Sequence, residues 1–397
     1  MAIRRILTAL LICSGYGAAQ IPPPSLTTIY NFTGVGSNGV VPEGLVIGSG
    51  GVLYGTTAYG GEFNHGTVFS LTPPASPGSS WTETVLYSFQ GDSGDGANPN
   101  TALVIGAGGV LYGATLYYGV NNVGTVFSLT PPALPGGQWT ESVYCFPCCS
   151  YGGVGPNGLT IGPTGTLFGT TYGGGASDAG TVFALVPPAT PGGEWAHKVL
   201  YSFQDGGAYT GVAMGSGGVL YGTTGLGGAF GYGVVFALAP PMIPGGTWTE
   251  TELYSFPAGG GQAPQTGVVI GEGGVLYGAT SVAAYSLTPP SSPGGPWIHN
   301  VVHEFPAQGD EYPAPSPLTL GETGVLYGTT RVGETAFALE PPAFPGAAWT
   351  EVLLYMFIGG PDGYHPSGLV IGSGGVLYGM TYSGGLYGEG TIFALTE

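Results

Sequence analysis

Positive charge is what this sequence has least of. Its 397 residues include four Lys and Arg against 22 Asp and Glu, so the formal net charge is −18 at pH 7. Proteins that bind nucleic acid neutralise phosphates with clusters of Lys and Arg, and anionic membrane surfaces attract the same side chains. We therefore expect neither as a partner. A neutral polar ligand or a cation remains compatible with this charge, which by itself also favours solubility.

Long apolar runs are missing beyond the first 19 residues. No later run approaches the roughly 20 apolar residues of a membrane-spanning helix, so we expect no transmembrane segment. Residues 1–19 carry Arg4 and Arg5, the apolar run 6–13 and small residues before Gln20, which is the pattern of a secretory signal peptide. We predict removal of residues 1–19, export, and a location outside the cell, at its surface or in the periplasm.

Cysteine is too scarce for a disulfide framework. After Cys13 the chain contains only Cys145, Cys148 and Cys149, all within one connection. Export permits a disulfide, but an odd number of thiols cannot pair completely, and the adjacent pair would be strained. A disulfide between Cys145 and Cys148 is the simplest way to close this loop. The sequence does not determine which of the three cysteines are oxidised.

Motifs of catalysis and metal binding are also missing. The sequence has no Gly-x-Ser-x-Gly, His-Glu-x-x-His or Walker-type glycine loop, so we assign no catalytic residue, cofactor or metal ligand. The segment Asp92-Ser-Gly-Asp-Gly96 offers oxygen atoms suited to Ca²⁺ but lacks the ligand spacing of an EF-hand. A turn explains that segment better than a Ca²⁺ site.

The sequence does contain a repeat. Seven copies resemble Gly-Val-Leu-Tyr-Gly-Thr-Thr, namely Gly51–Thr57, Gly109–Thr115, Gly165–Thr171, Gly218–Thr224, Gly274–Thr280, Gly324–Thr330 and Gly375–Thr381. A period near 50 residues with short strands is typical of a propeller or a solenoid. The 80 Gly and 35 Pro would otherwise indicate disorder, but here they punctuate the repeat.

One repeat predicts four strands, at residues 101–105, 110–115, 124–129 and 140–146. A four-stranded antiparallel unit is the usual propeller blade. Only six copies are followed by a Trp-led fourth strand. The seventh fourth strand, Thr28–Phe32, stands at the beginning of the chain and matches Val85–Phe89.

This arrangement predicts an all-β fold, a seven-bladed β-propeller over residues 20–397 that is closed when the N-terminal strand pairs onto the last blade. Such pairing removes two open sheet edges. We expect the repeated Tyr and Thr to be structural, and the glycine of Leu-Tyr-Gly to make room for a bulky side chain from the adjacent blade. A monomer is the default expectation.

The repeat resembles a known family. Leu53–Thr57, Gly60-Gly61 and Gly66–Phe69 are similar to the GloVer tandem repeat of exported bacterial proteins, also called choice-of-anchor tandem repeat proteins. The resemblance covers essentially all of the chain after residue 19. It implies an exported, surface-associated or secreted bacterial protein without established chemistry. Members carry varied C-terminal anchoring signals, and this sequence ends at a predicted strand, which leaves the anchoring route open.

Variable loops are the predicted place for ligand contacts. In an antiparallel blade, the loop between strands two and three and the connection to the next blade open on the same face. Tyr rings there could stack on sugars while carboxylates accept hydroxyl protons, although a solvated loop face with turn-forming Asp, Asn and Gly explains these residues better. The candidate ligand-binding residues are Tyr59, His65, Asp92, Asp95, Tyr117, Tyr118, Asp178, Asp310, Tyr312, Asp362, Tyr364, His365 and Tyr387.

Three functions follow from these observations. The first is a non-catalytic binding or scaffold propeller that recognises a polysaccharide or a surface partner. The second is a propeller-fold glycan hydrolase or lyase, which needs carboxylates or a Tyr–His pair around the central channel. The third is a structural or adhesive surface protein with broad Tyr-rich loops and no defined pocket. The first is favoured because the conspicuous regularities are structural.

Overall fold

The computed structural model describes residues 24–396 except 37, 77, 93, 135, 148–152, 191, 244, 260–262, 293, 307–310 and 345. The predicted signal peptide, Cys148, Cys149 and Asp310 lie outside the described residues. Within them the chain forms strands and short 3₁₀ turns and no α-helix. No helix in this part is long and apolar enough to cross a membrane.

Seven antiparallel sheets follow one another along the chain, as predicted. The chain begins with β1 (Ser25–Asn31), which belongs to blade 7. Blade 1 contains β2 (Gly39–Ile47), β3 (Leu53–Gly60), β4 (Thr67–Thr72) and β5 (Thr82–Ser88). Blade 2 contains β6 (Gly96–Pro99), β7 (Val104–Ile105), β8 (Leu111–Tyr118), β9 (Thr125–Thr130) and β10 (Thr140–Cys145). Blade 3 contains β11 (Val154–Ile161), β12 (Leu167–Gly173), β13 (Thr181–Val186) and β14 (Ala196–Ser202).

The remaining blades repeat this order. Blade 4 contains β15 (Ala213–Met214), β16 (Leu220–Thr223), β17 (Val234–Ala239) and β18 (Thr249–Ser255). Blade 5 contains β19 (Val269–Ile270), β20 (Leu276–Ala279), β21 (Ala283–Thr288) and β22 (Ile298–Glu304). Blade 6 contains β23 (Thr319–Leu320), β24 (Leu326–Thr330), β25 (Thr335–Glu340) and β26 (Thr350–Met356). Blade 7 contains β27 (Tyr364–Ile371), β28 (Leu377–Ser383) and β29 (Thr391–Thr396). The 3₁₀ turns are Ser49–Gly51, Ala107–Gly109, Ser216–Gly218, Glu272–Gly274, Gly360–Asp362 and Ser373–Gly375.

The ring closes through its terminal strands. Strand β1 pairs antiparallel with β29, from Ser25 opposite Thr396 to Asn31 opposite Thr391, so it completes blade 7. The predicted strand Thr28–Phe32 is confirmed, with its beginning three residues earlier and Phe32 just after its end. The seven-bladed propeller is therefore confirmed, together with the predicted closure.

Buried aromatic pairs join each blade to the next. At the closure, Phe32 packs against Phe69 of blade 1 with ring centroids 5.3 Å apart. The other six junctions repeat this contact at 4.8–5.3 Å, as Phe89–Phe127, Phe146–Phe183, Phe203–Phe236, Phe256–Tyr285, Phe305–Phe337 and Phe357–Phe393. These rings are at most 5% exposed. The closing junction is thus built like the other six.

The repeated glycine makes room within its own blade. A Cβ on Gly55 would come 2.6 Å from the Phe69 ring, and Phe69 lies directly opposite it on β4. The expectation that the bulky neighbour comes from the adjacent blade is wrong. The cross-strand partner occupies the space because the two residues face each other in the register.

The repeated Thr-Thr pair is buried. The Thr57 hydroxyl hydrogen-bonds that of Thr67 on the neighbouring strand at 2.8 Å, and Thr57 Oγ1 also accepts from the Thr67 backbone N–H. The first threonine of the pair reaches the next blade: Thr170 donates to the Thr210 carbonyl at 2.7 Å. Buried hydroxyls with partners inside the fold are not available to a ligand, so the structural interpretation of these residues holds.

Each tryptophan packs on the preceding blade. Trp81 of blade 1 lies edge-on to Tyr378 of blade 7, with ring centroids 5.7 Å apart. The other five Trp rings make the same type of contact at 5.8–6.4 Å, with Tyr54, Tyr112, Phe168, Tyr221 and Tyr277. The aromatic residue of the repeat therefore joins blades rather than facing a ligand.

Candidate functional site

The variable loops and the inter-blade connections lie together at one end of the blades. The Phe89 N–H donates to the Gly66 carbonyl at 3.0 Å, and the Asn98 N–H donates to the His65 carbonyl at 2.9 Å. Both bonds join the connection between blades 1 and 2 to the loop after β3. Phe203 and Phe256 make the equivalent bond in later blades, each at 3.0 Å. We call this end the loop face.

Exposed aromatic side chains are concentrated on the loop face. Among the described residues, twelve of the thirteen exposed aromatics lie there, and the other, Phe344, lies in a hairpin between strands three and four. The twelve are Tyr59, Phe63, Tyr117, Tyr118, Tyr172, Tyr209, Phe230, Tyr232, Tyr312, Tyr364, Tyr382 and Tyr387. The structure therefore places the predicted tyrosines Tyr59, Tyr117, Tyr118, Tyr312, Tyr364 and Tyr387 on one surface.

Four of the predicted residues meet at one cleft. An open cleft of about 570 Å³ is lined by Asp92, Tyr117 and Tyr118, with Asn122 beside them. The His65 ring packs against Tyr118 with centroids 5.2 Å apart. We name this group the tyrosine cleft. Exposed Tyr rings offer flat apolar faces and hydroxyls, and an exposed carboxylate accepts hydrogen bonds, so the cleft suits a ligand with apolar faces and polar edges.

Local backbone geometry fixes the cleft. Tyr118 has φ +65°, and its backbone N–H donates to Asn122 Oδ1 at 3.0 Å. Gly91, at φ +68°, lies against His65, because a Cβ there would come 2.4 Å from the imidazole ring. Only glycine provides that space at this conformation without strain. The side chains of the cleft are therefore positioned by the fold before any ligand arrives.

Two predicted ligand carboxylates are buried and support loops instead. Asp95 is 3% exposed, and its oxygens accept from the backbone N–H groups of Gln90 at 2.7 Å and Gly96 at 2.6 Å. Burial raises the pKa of Asp95 and these bonds oppose the rise. Asp362 accepts from the Ile358 N–H at 3.0 Å and the Tyr355 hydroxyl at 3.1 Å. Both arrangements favour loop support over ligand contact.

The other two predicted carboxylates in the described residues, Asp178 and Asp92, lie in turns. The Oδ1 of Asp178 accepts from the Gly174 N–H at 2.8 Å, while the residue itself has φ +57°. Asp92 behaves similarly, since its Oδ1 accepts from the Gly94 N–H at 2.7 Å. The described residues contain no group of three or more His, Cys, Asp or Glu side chains arranged to hold a metal ion. The Ca²⁺ hypothesis gains no support from this geometry.

A second group of ionisable side chains surrounds a cavity that the sequence did not indicate. Blades 1, 6 and 7 contribute Glu43, Arg331, His365 and Tyr382 to a cavity of about 290 Å³. The Arg331 guanidinium lies over the Tyr382 ring, 5.7 Å from its centroid. We name this the mouth cavity. It brings the predicted His365 next to three residues outside the candidate list.

His365 is held by a carboxylate of blade 6. Its backbone N–H donates to Glu334 Oε2 at 2.8 Å, and its Nε2 lies 3.7 Å from Glu334 Oε1. Burial raises the pKa of Glu334, while the bond from the His365 N–H and the charges of His365 and Arg331 lower it. Tyr382 and His365 line the same cavity.

The mouth cavity adjoins a deeper chamber. A cavity of about 340 Å³ is lined by the innermost segments of blades 1, 2, 6 and 7, including Glu43, Asn100, Thr319 and Ser367. Innermost strands line the central channel of a propeller. Glu43 borders both cavities, and burial raises its pKa to about 7, with a smaller opposing effect of the Arg331 charge. A carboxylate that titrates near neutrality inside a cavity is characteristic of functional sites.

A comparison of repeats could have found Glu43. It stands in the segment Pro42-Glu43-Gly44, which corresponds to Pro156-Asn157-Gly158 in blade 3 and Pro366-Ser367-Gly368 in blade 7. The three prolines are equivalent, since each lies opposite the second threonine of its repeat. A carboxylate where other blades have an amide or a hydroxyl is a visible departure. Its proximity to Arg331 depends on ring closure and is not visible in the sequence.

Buried ionisable pairs also join the outer strands. The Tyr87 hydroxyl lies 2.6 Å from Glu141 Oε2 of the next blade and 3.2 Å from Asp95 Oδ2. Burial, together with the negative charge of Asp95, raises the pKa of Glu141 to about 8. At another junction, Tyr254 stacks on His299 at 4.2 Å. These pairs lie between outer strands rather than at a cavity of the channel.

Cys145 is the described member of the cysteine group. It is partly buried and has no disulfide partner among the described residues. Because Cys148 lies outside the described residues, the bridge between them stays a prediction.

Solved propellers resemble the fold over almost the whole chain. A streptogramin B lyase structure gives a TM-score of 0.59 at 15% identity, with 94% of this chain and 98% of that chain covered. An inactive virginiamycin B lyase from Staphylococcus aureus gives 0.59 at 15%, with 94% and 99% covered. The periplasmic gluconolactonase PpgL of Pseudomonas aeruginosa gives 0.54 at 15%, with 94% and 96% covered. At such identities the likeness shows the fold alone.

Sequence comparison provides the family. No curated protein matches the chain significantly. The model of the Gloeobacter/Verrucomicrobia repeat matches residues 15–190 and 135–338, which together span more than half of the sequence. The resemblance to the GloVer tandem repeat is thereby confirmed, and the chain belongs to the Gloeobacter/Verrucomicrobia repeat family.

Proposed function

We propose that this protein is an exported propeller that binds saccharides through its loop face. The observation that supports this proposal is the concentration of exposed aromatic side chains there, twelve of thirteen among the described residues. Monomeric proteins rarely expose many large apolar groups on one surface without a binding role. Tyr supplies a flat apolar ring and a hydroxyl, which suits a ligand with apolar ring faces and polar edges. Export agrees with the family resemblance and with the signal-like residues 1–19.

The tyrosine cleft is the proposed centre of this surface. Tyr117 is 50% exposed and Tyr118 is 38% exposed, so both rings can contact a ligand without repacking of the core. Asp92 is exposed beside them and can accept hydrogen bonds from sugar hydroxyls. A ligand bound here would lie across blades 1 and 2, whose loops are joined by backbone hydrogen bonds.

Glycan hydrolysis or cleavage is the second candidate. The observation that favours it is Glu43, whose pKa is raised to about 7, in a cavity that also contains His365 and Tyr382. A carboxyl group with such a pKa can act as an acid or a base near neutral pH. Most glycosidases use two carboxyl groups. Among the described residues that line this cavity, Glu43 is the only carboxylate, so binding is preferred to catalysis.

A polysaccharide retention assay with product analysis tests the proposal. Wild-type protein is compared with Tyr117→Ala and with Phe344→Ala, which removes an exposed aromatic away from the loop face. We expect retention by the wild type and by Phe344→Ala, about tenfold weaker retention by Tyr117→Ala, as expected for loss of one stacked ring, and no product. Release of shorter glycans would favour the enzyme. Equal retention by both variants would reject the cleft as the binding site.

A further inference from the structure

The mouth cavity holds two opposite charges that are not paired with each other. Among the described residues, the ion pairs within 4.0 Å are His303–Glu351 and His365–Glu334 only. Glu43 and Arg331 line the same cavity but belong to neither pair. Neither side chain makes a hydrogen bond within the described part of the protein. Glu43 is partly buried and Arg331 is exposed, and both line the cavity, so it presents a carboxyl group and a guanidinium to whatever enters it.

Arg331 is unusual in this chain. After residue 19 the sequence contains only two cations, Lys198 and Arg331. Lys198 lies on the outer strand β14, whereas Arg331 follows β24 at the mouth of the channel. Its backbone N–H donates to the Ala314 carbonyl at 3.2 Å, and its guanidinium stacks on Tyr382. The first bond fixes the backbone of Arg331, and the contact with Tyr382 orients its exposed guanidinium and leaves the N–H groups available to a planar anion.

The surroundings of the pair are neutral and polar. Ser316 and Ser367 line the mouth cavity, and Ser367 also borders the deeper chamber. In that chamber, Asn100 Oδ1 is buried without a hydrogen-bond partner among the described residues. An unsatisfied buried acceptor is costly unless a ligand or water donates to it. The mouth cavity thus offers a guanidinium, a carboxyl group, two serine hydroxyls, the His365 imidazole and the Tyr382 hydroxyl, and the adjoining chamber adds the Asn100 amide oxygen.

We propose that the mouth cavity binds a uronic acid residue, with its carboxylate on Arg331 and its hydroxyls on Glu43, Ser367 and the chamber below. A guanidinium and a carboxylate form two parallel charge-assisted hydrogen bonds, which are the strongest available in such a site. Hydroxyls of the sugar ring suit the neutral acceptors and donors that remain. This inference rests on the proposed saccharide function and narrows it to acidic sugars, but it uses a site separate from the tyrosine cleft.

Binding should strengthen as the pH falls. When Glu43 is ionised, it repels the ligand carboxylate and competes for Arg331, and protonation removes both effects. The other charged or titratable groups that line the cavity are Arg331, His365 and Tyr382, and Glu334, whose pKa burial also raises, lies beside His365. A sugar carboxylate has a low pKa and remains ionised near neutrality. Since the pKa of Glu43 is raised to about 7, affinity should rise as the solution is taken from about pH 8 to about pH 6.

The test is a calorimetric titration of the full-length protein as produced, with D-galacturonate, D-galactose and L-glutamate as probes. We compare the wild type with Arg331→Gln and with Lys198→Gln, which changes the net charge equally at a distant place. We expect galacturonate to bind, galactose to bind at least about tenfold more weakly, and Arg331→Gln alone to lose about tenfold or more, as for loss of a charge-assisted contact. Glu43→Gln should flatten the pH dependence and keep the fold, checked by its melting temperature.

Several outcomes would overturn the inference. They are equal binding of galactose and galacturonate, equal loss in Arg331→Gln and Lys198→Gln, a preference for glutamate, or no binding of galacturonate at either pH. If galacturonate fails while Tyr117→Ala still weakens polysaccharide retention, this inference falls and the proposed function stands. If retention fails for every polysaccharide but galacturonate binds through Arg331, the tyrosine cleft is rejected and the mouth cavity is retained.

Discussion

The two ends of the propeller differ in how strictly they repeat. Opposite the loop face, the turn between strands one and two is closed by the same bond in all seven blades, as from Gly48 N–H to the Val52 carbonyl, always at 2.8 Å. We call that end the hairpin face. On the loop face, β3 and β4 are separated by residues 61–66, whereas β20 and β21 are separated by 280–282 only. One face maintains blade geometry, and the other is free to vary, which is where loops usually carry function.

The charges follow the same division. The mouth cavity, the tyrosine cleft and the buried Asp95 all lie in or under loop-face segments. The hairpin face instead repeats glycine turns and Pro-Pro hairpins with few ionisable groups. A substitution on the hairpin face should therefore alter stability alone, and a substitution on the loop face should alter binding with a smaller effect on stability.

The largest loss of stability is expected for a substitution in the aromatic core between two blades, because both the hairpin face and the loop face depend on it. Phe127→Ala removes a fully buried ring from the junction of blades 1 and 2, so we expect a loss of about 3–5 kcal/mol of unfolding free energy and of binding at the tyrosine cleft. Urea unfolding measures the loss. The control is Phe344→Ala, since that ring is exposed. A loss no greater than the control would contradict the role of the aromatic junctions.

A smaller loss of unfolding free energy, without a change in binding, is expected for a substitution on the hairpin face. Gly109 has φ +78°, and a Cβ there meets no atom closer than 3.9 Å, so Gly109→Val adds backbone strain without a clash. We expect destabilisation of about 1–3 kcal/mol with unchanged polysaccharide retention. Ala107→Val in the same turn is the matched control. Altered retention in Gly109→Val at a temperature where it stays folded would show that the two faces are coupled.

Two aspartates of the loop face distinguish residues that stabilise a loop from residues proposed to contact the ligand. Asp95→Asn places an N–H₂ group where an oxygen accepts from backbone N–H groups, so we expect a loss of about 1–2 kcal/mol. Asp92→Asn, at an exposed position, should leave stability nearly unchanged and weaken saccharide binding. Thermal unfolding and retention are measured for both variants. If Asp92→Asn destabilises as much as Asp95→Asn, the distinction between them is wrong.

The last prediction concerns the pH dependence of stability. Burial raises the pKa of Glu141 to about 8, above the value of about 4.3 expected in the unfolded chain. Folding then takes up a proton, and this stabilising contribution is present below the unfolded pKa and lost as the pH rises through about 8. We expect the melting temperature to fall from about pH 5 to about pH 8.5, and less so in Glu141→Gln. The exposed Glu62→Gln should keep the wild-type slope.

Most of the fold could be predicted from the sequence because the repeat reports local structure. Strand and turn choices depend on residues close along the chain, such as the Gly-Gly turn before Leu111 and the Trp before β10. Even the closing strand was visible, since Thr28–Phe32 has the pattern of Val85–Phe89. The partner of the repeated glycine was misplaced because the cross-strand register, unlike the strand itself, has no local signal.

The site was predicted less completely. The exposed tyrosines were found because loops on one face follow from blade topology. Asp95 and Asp362 have the same turn-forming character as an exposed aspartate, and only the structure shows that their oxygens are occupied. Glu43 and Arg331 are almost 300 positions apart in the chain, and they share a cavity because blades 1 and 6 face the same channel. No sequence pattern near either residue indicates that the two lie close together in the fold.

The pairing that closes the ring also determines how the molecule responds to force. Ser25 lies opposite Thr396, at the same end of the β1–β29 pair. A pull between these two residues would load the hydrogen bonds of that pair one after another, as in a zipper, rather than all at once in shear. A pull applied between Ser25 and Thr396 would therefore open the ring at the β1–β29 pair.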